Sequence, residues 1–399
     1  MDETPTPSRA WEVFRAFLVQ GLTAFGGPVA HIGYFRREFV ERRRWLAEPA
    51  FADLLALAQF LPGPASSQLG MAIGLRRAGY AGLLAAWIGF TLPAGAAMIA
   101  LSYLTPYLAG GWGDGVIHGL KLAAAAVVAQ ALVAMARTLA VGPIRAGMAI
   151  GAGLGLLLEH GPVAQILALA AGGLFGFALL REAGPGEPDD PATQRIPVPV
   201  SAAALGVFIL LLGVLPFLAA WLDAPLLSLA SVFYRAGALV FGGGHVVLPV
   251  LQQEIVQRGW LDQSSFLAGY GAVQALPGPL FSFAGFVGAA QEVAPGGWRG
   301  GLVSIVAIFL PSLLLVVGVL PFWDRLKSRP EARGALAGVN AVVVGILAAT
   351  LWNPVLMNSI HRPSDWLLAI GAYAFLAVAK LPPWLVVLGA AALMGLMQR

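Results

Sequence analysis

Apolar residues in this chain run in long stretches instead of the helical or strand alternation of half-buried soluble elements. Stretches almost free of charge cover 79–104, 116–139, 144–158 and 162–180, and again 300–322, 335–357, 365–379 and 384–398. A bilayer-spanning helix needs ~20 such residues; the last two stretches are short, which suits a hairpin or a small tilt. Residues 181–195, rich in Pro, Gly and acid, read as an exposed linker. One further apolar segment, 199–221, follows it without a partner in the first half. The pattern predicts an all-α polytopic membrane protein.

The polar and small residues between these runs repeat. Phe25-Gly26-Gly27-Pro28 returns as Phe241-Gly242-Gly243-Gly244, and Gln59-Phe60-Leu61-Pro62-Gly63-Pro64 returns as Gln274-Ala275-Leu276-Pro277-Gly278-Pro279. Trp45, Phe51 and Glu38 match Trp260, Phe266 and Glu254; Leu92-Pro93 matches Leu310-Pro311, and Gly119-Leu120-Lys121 matches Gly338-Val339-Asn340. A repeat this long in so apolar a chain is a common build of secondary transporters. The expected organisation is a repeat over 1–182, a linker with an unpaired transmembrane helix over 183–224, and a second repeat over 225–399.

Charge sets the expected orientation. Arg36, Arg37, Arg42, Arg43 and Arg44 follow the first glycine motif, whereas the copy keeps only Arg258 beside Glu254 and Asp262. The positive-inside rule puts these equivalent loops on opposite sides, and the unpaired segment 199–221 supplies the crossing that inverts the second repeat. Arg9, the Arg36–Arg44 cluster and Arg76-Arg77 are separated from one another by broken segments. All fall inside if those segments are re-entrant, so re-entry or partial crossing is favoured.

Composition narrows the class. The chain is 58% hydrophobic and 11% charged, with no cysteine, so neither a disulfide nor a thiolate metal site is available. The polar, Pro-rich first residues carry no signal-peptide core. A net charge of +4 reads as orienting loop arginines, not a nucleic-acid footprint. No cofactor is expected. The partners are a small solute and the lipid bilayer of a prokaryotic inner or plasma membrane; a homodimer stays open.

The Pro-Gly-Pro motifs carry the chemistry. Proline disfavours helical continuation through Pro62 and Pro277, so Phe51–Phe60 and Pro64–Leu75 should be two half-helices, with Pro279–Ala290 as the copy of the second. A half-helix start offers free N–H groups and a positive dipole end to an anion, here with Gln59, Ser66, Ser67 and Gln68 nearby, and with Gln274 and Ser282 in the copy. The bland reading is a kink, which one copy would favour and two copies do not. Gly26, Gly27, Gly242 and Gly243 suit either tight packing or close approach of a ligand. Lys121, matched by Asn340, either balances an anion or snorkels, and Arg235 offers the same choice. For proton coupling the candidates are Glu38 and Glu254, narrowly preferred, then His31 and His245; the carboxylates can instead pair with neighbouring arginines. His118, His160 and His361 read as interfacial.

With these motifs in view, the chain resembles the chromate ion transporter family in its long, two-domain form. The resemblance rests on Phe25-Gly26-Gly27-Pro28 with His31, on Gln59–Pro64, and on their second-half copies, and it covers nearly the whole chain. It implies secondary active efflux of chromate and chromate resistance, with sulfate as competitor or counter-substrate. The residues alone reach an anion transporter; a transporter or channel for another small anion such as sulfate is the alternative. No P-loop is present. An intramembrane enzyme would need a nucleophile and base, paired aspartates or a metal-binding histidine pair, and the histidines are isolated while Asp falls in predicted loops.

Overall fold

Proline and glycine decide where the apolar runs become helices and where they stop. The computed structural model describes residues 7–108, 110–159, 161–180, 196–241, 244–292 and 296–397, and among them the chain is helical without a strand. The linker 181–195, Gly242, Gly243 and His160 lie outside the described residues. The first half holds α1 (Pro7–Thr23), α2 (Gly27–Phe35) continued by a π-helical turn (Arg36–Arg42), α3 (Glu48–Phe60), α4 (Ala65–Leu104), α5 (Trp112–Leu139), α6 (Pro143–Leu158) and α7 (Pro162–Leu179). After α8 (Val198–Trp221) come α9 (Pro225–Leu239), α10 (Val247–Ile255), α11 (Gln263–Val273), α12 (Phe283–Ala290) and α13 (Gly297–Val319). The chain ends with α14 (Trp323–Lys327), α15 (Pro330–Thr350), α16 (Met357–Ser359), α17 (Pro363–Ala377) and α18 (Pro383–Met397). Proline occupies the first turn of α6, α7, α9, α15 and α17, where its missing N–H costs nothing.

Ala65–Tyr107, Trp112–Leu139, Val198–Trp221, Gly297–Phe322 and Pro330–Ser359 are each long and apolar enough to cross a membrane. The protein is an all-α multi-pass membrane protein.

The helix α4 is two arms. Ala78 and Gly79 leave helical geometry, and the chain doubles back so closely that a Cβ on Gly74 would strike the Gly82 carbonyl. In the second half a longer connection, between α12 and α13, separates the two corresponding helices. That added length accounts for the repeat spacing growing from 215 residues at Gly63 and Gly278 to 218 at Leu92 and Leu310.

Ion pairs tie the ends of the broken segments together. Glu12, near the start of α1, meets Arg77 at the end of the first α4 arm (3.0 Å) and Arg43 beyond the π turn (3.7 Å). The ring of Trp45 lies 5.3 and 5.1 Å from the Arg43 and Arg77 guanidinium carbons. On α3, Asp53 accepts from Trp323 Nε1 (3.1 Å) and Lys327 Nζ (2.7 Å), drawing in the segment after α13. Elsewhere, Tyr103 near the end of α4 accepts the Trp298 N–H at the start of α13 (2.7 Å), and the Glu292 N–H donates to the Trp260 carbonyl (3.0 Å).

The halves interleave. Helix α5 packs on α17 and α18, and its repeat partner α15 packs on α6 and α7. Gly115 and Gly119 of α5 sit against the Met394 and Ala390 backbone, and Gly334 and Gly338 of α15 against Gly176 and Gly172. Small residues four apart let helices approach closely where lipid, as apolar as leucine, gives no hydrophobic drive. Between α1, α2 and α4 the core is aromatic: Phe17 stacks on Phe39 (4.7 Å) and Phe35 meets Phe90 edge-on (5.1 Å). Helix α8 leans on α9 and α13 and leaves Phe217 and Trp221 exposed on its outer side.

Aspartates correct the sequence reading that put them in loops: Asp53 lies within α3, Asp114 within the first turn of α5, Asp324 within α14 and Asp365 within the first turn of α17. Helix α3 starts at Glu48, three residues before the predicted Phe51, with Pro49 in its first turn. Asp365 is retained because it caps, accepting the His361 and Arg362 N–H groups at 2.9 Å each.

Candidate functional site

Each Pro-Gly-Pro break makes a backbone hydrogen bond across to the other half. The Gly63 N–H donates to the Val240 carbonyl (2.6 Å), and the Gly278 N–H donates to the Ala24 carbonyl (3.0 Å). Ala24 and Val240 are repeat equivalents, each ending the helical run just before a Phe-Gly motif. The result is a pair of crossed clasps related by the repeat. Gly63 and Gly278 hold φ of +120° and +101°, which L side chains rarely adopt. Their surroundings match as well: a Cβ on Gly63 would meet Ser312, and one on Gly278 would meet Ala94, its repeat equivalent after Leu-Pro.

Polar side chains gather at the first clasp. Gln68 is fully buried, and its Nε2 donates to the Pro62 carbonyl (2.6 Å) and to Ser312 Oγ (3.2 Å). His31, 1% exposed, places Nε2 3.1 Å from the Ala24 carbonyl and Nδ1 3.3 Å from Ser66 Oγ. A carbonyl only accepts, so the neutral ring carries its hydrogen on Nε2 and takes the Ser66 hydroxyl hydrogen at Nδ1. Ser66, His31, the Ala24 carbonyl and the Gly278 N–H thus form one chain from the first break to the second. Ser67 and Ser282 are repeat equivalents, both buried, and neither hydroxyl has a partner. Buried polar groups without partners are exceptions that call for a reason.

The half-helices differ in detail from expectation. Pro64 caps α4 with an extended backbone and does not enter its first turn. Pro279 precedes a 3₁₀ turn (Leu280–Ser282), and α12 starts only at Phe283, because the Ser282 N–H is already bound to the Pro279 carbonyl (2.9 Å). Gly26 (φ +101°) and Gly27 (φ +74°) open α2, and a Cβ on Gly244 would lie 3.7 Å from Pro28. The first glycine motif and the end of the second therefore touch. Pro277 lies in the second break, while Gln59 is exposed.

Other candidates lie outside the clasps. Glu38 binds Arg42 (3.0 Å) and Arg43 (2.5 Å); Glu254 binds Arg235 and Arg258 (2.8 Å each). Arg42 and Arg258 are repeat equivalents, so the pairing is built twice. Lys121 is half-buried, within electrostatic range of Asp262 and Asp365. Asn340 is half-buried with an unpartnered Oδ1. His245 contacts the Tyr270 hydroxyl through Nδ1 (2.8 Å). His118 Nε2 lies 3.0 Å from Asp365, with its ring 6.2 Å from that of His361. Among the described residues no group of three or more His, Cys, Asp or Glu could hold a metal. The residues that sequence reading missed are Ser312 and Tyr270. For Ser312 a signal existed, since it follows the repeated Leu-Pro; for Tyr270 there was none.

Comparison with known proteins gives the same duplication. Residues 11–177 and 227–396 each match the family model described as chromate transporter. The chromate transport protein of Pseudomonas aeruginosa is 32% identical over 96% of this chain and 89% of its own length. That of Cupriavidus metallidurans is 28% identical over 94% and 90%. A probable chromate transport protein of Synechococcus elongatus is 27% identical over 84% and 82%.

Proposed function

This chain belongs to the chromate transporter family, and we propose that it exports chromate across the cytoplasmic membrane by secondary active transport, conferring resistance. The observation that carries the reading is the crossed pair of clasps, with the unpartnered, repeat-equivalent Ser67 and Ser282 hydroxyls beside them. Irregular backbone at membrane depth persists where it is packed in protein or lines a wet cavity. A tetrahedral dianion suits such a place: it accepts many hydrogen bonds, and two half-helix starts bring N–H donors and positive dipole ends. Sulfate shares this shape and charge and competes.

The broken segments are re-entrant hairpins in this reading. Support comes from the meeting of Glu12, Arg43, Trp45 and Arg77, the two ends of each first-half segment, around one cluster. The repeats, 1–182 and 225–399, are inverted, with α8 as the extra crossing. Tyr103–Trp298 and Asp53–Lys327 support this, because they tie the end of α4 to the start of α13 and the segment after α13 back to α3. Among the titratable candidates, His31 is best supported for coupling, since it stands in the chain linking the two breaks. The doubly paired Glu38 and Glu254 serve better as anchors of the hairpin ends.

Chromate uptake into inverted membrane vesicles, with and without a pH gradient and with excess sulfate, tests the function. Accumulation that needs a gradient of proton or counter-anion and falls with sulfate is expected. Equilibration without accumulation under any gradient would make the protein a channel.

A further inference from the structure

A cavity of about 220 Å³ opens among α6, α7, α10 and α15 and shares no lining residue with the clasps. A water occupies roughly 10–15 Å³ of such volume, so the space takes a small ion with part of its hydration shell. Its polar lining is made of amides and one hydroxyl: Gln257 is exposed at the mouth, Gln252, Gln253 and Asn353 are half-buried, and Gln165 and Thr350 are buried at the base. Gln165 is 6% exposed although it belongs to an otherwise apolar helix. Polar side chains kept inside apolar spans mark solute pathways. Thr350 Oγ1 already donates to the Ile346 carbonyl (2.9 Å) and Gln252 Nε2 to Gln263 Oε1 (3.1 Å), and Gln253 Oε1 is an acceptor, so the N–H groups offered to a solute are the side-chain amides of Gln165, Gln253 and Gln257.

No ionised side chain lines this funnel, yet the field around it has a sign. On α10, Glu254 is shared between Arg235 and Arg258, which leaves that cluster one positive charge in excess. Gln165 is the fourth residue of α7, within the turn where the helix dipole is positive, whereas Leu156, Gln252 and Gln253 lie in the last turns of α6 and α10, where it is negative, so the sign rests on the excess arginine charge. The first half differs at the matching positions. Gln252, Gln253 and Gln257 correspond to Arg36, Arg37 and Glu41, and Arg36 is bound to Glu41 and Glu48 at 2.6 Å each. Neutral N–H dipoles hold an anion without neutralising it and release it readily.

We infer that the amide funnel is a second site for a tetrahedral oxyanion, still partly hydrated, between the clasps and the edge marked by Arg258 and Trp260. The inference rests on the oxyanion-transport reading. The test uses the full-length protein in right-side-out membrane vesicles loaded with sulfate, and reads the chromate concentration that half-saturates exchange. Gln257→Glu, at an exposed mouth position, should raise that concentration roughly three- to tenfold through repulsion. Gln257→Lys should lower it, and both effects should shrink as salt rises. Gln165→Leu should raise it with the maximal rate retained. A wild-type protein that moves no chromate either against trapped sulfate or under an imposed pH gradient overturns the transport reading itself. If the wild type exchanges and all three variants keep its concentration dependence, the funnel alone is overturned. A tighter half-saturation for Gln257→Glu would make the funnel a cation site and also overturn the proposal.

Discussion

Replacing Gly63 by Ala tests the clasp through three separable costs. A φ of +120° is sparsely populated by L-residues, and holding alanine there costs about 1–3 kcal/mol. The new Cβ would stand 2.5 Å from Ser312 Oγ and 2.7 Å from Gln68 Nε2, too close for either to stay. Displacing Gln68 breaks its bonds to the Pro62 carbonyl and to Ser312, and a buried carbonyl left unmet costs about 1–3 kcal/mol. The backbone and unmet-carbonyl costs alone come to about 2–6 kcal/mol, a large share of a typical stability of roughly 5–15 kcal/mol. Gly278→Ala should cost less. Its Cβ would find Ala94 at 3.1 Å and two carbonyls at 3.3 and 3.4 Å, with no polar side chain to displace. Ser312→Ala alone should cost about 1 kcal/mol, and the Gly63→Ala, Ser312→Ala double variant less than the sum of its parts by roughly 1–2 kcal/mol, because one overlap is relieved. Thermal unfolding of the detergent-purified variants, followed by tryptophan fluorescence, reads the order. Strict additivity, or a Gly63→Ala midpoint equal to wild type, would refute the crowded clasp; Gly278→Ala worse than Gly63→Ala would refute the role given to Gln68.

The native chain lacks cysteine, so single cysteines near Arg43 and near Arg258 should react with impermeant reagents from opposite sides; labelling from the same side would end the inverted-repeat reading. Glu38→Gln and Glu254→Gln should each lower stability by about 1.5–3 kcal/mol through loss of two guanidinium bonds, while the pH profile of transport stays native; a flattened profile would return proton coupling to these carboxylates. Gly119→Leu and Gly338→Leu should lower the unfolding midpoint by the equivalent of about 1–3 kcal/mol or more, since each meets backbone of the other half's last helix. Gly389→Ala, with open space around it, should stay within about 0.5 kcal/mol of wild type in the same melt.

Much of this protein is determined by local sequence. Runs without charge become spanning helices because no water in the hydrocarbon can satisfy a bare backbone. Pro62 and Pro277 end a helix in any context, since proline lacks the N–H and crowds the residue before it. The matched landmarks locate both breaks, and the family follows from their combination. What local sequence does not contain is the partner of each break. Only the folded chain shows that Gly63 binds Val240 and Gly278 binds Ala24, each across the repeat. The same holds for the exchange of terminal helices between α5 and α15. Glu38 and Glu254 read from sequence as titratable groups in an apolar setting, but whether a carboxylate is lone or doubly paired depends on which arginines the fold delivers. Gln165, Gln253 and Thr350 lie far apart in the chain and look like stray polar residues until four helices close around one cavity. Helix formation is a short-range property of the backbone and its nearest side chains, whereas a site is an encounter between distant segments, and only tertiary packing sets those distances.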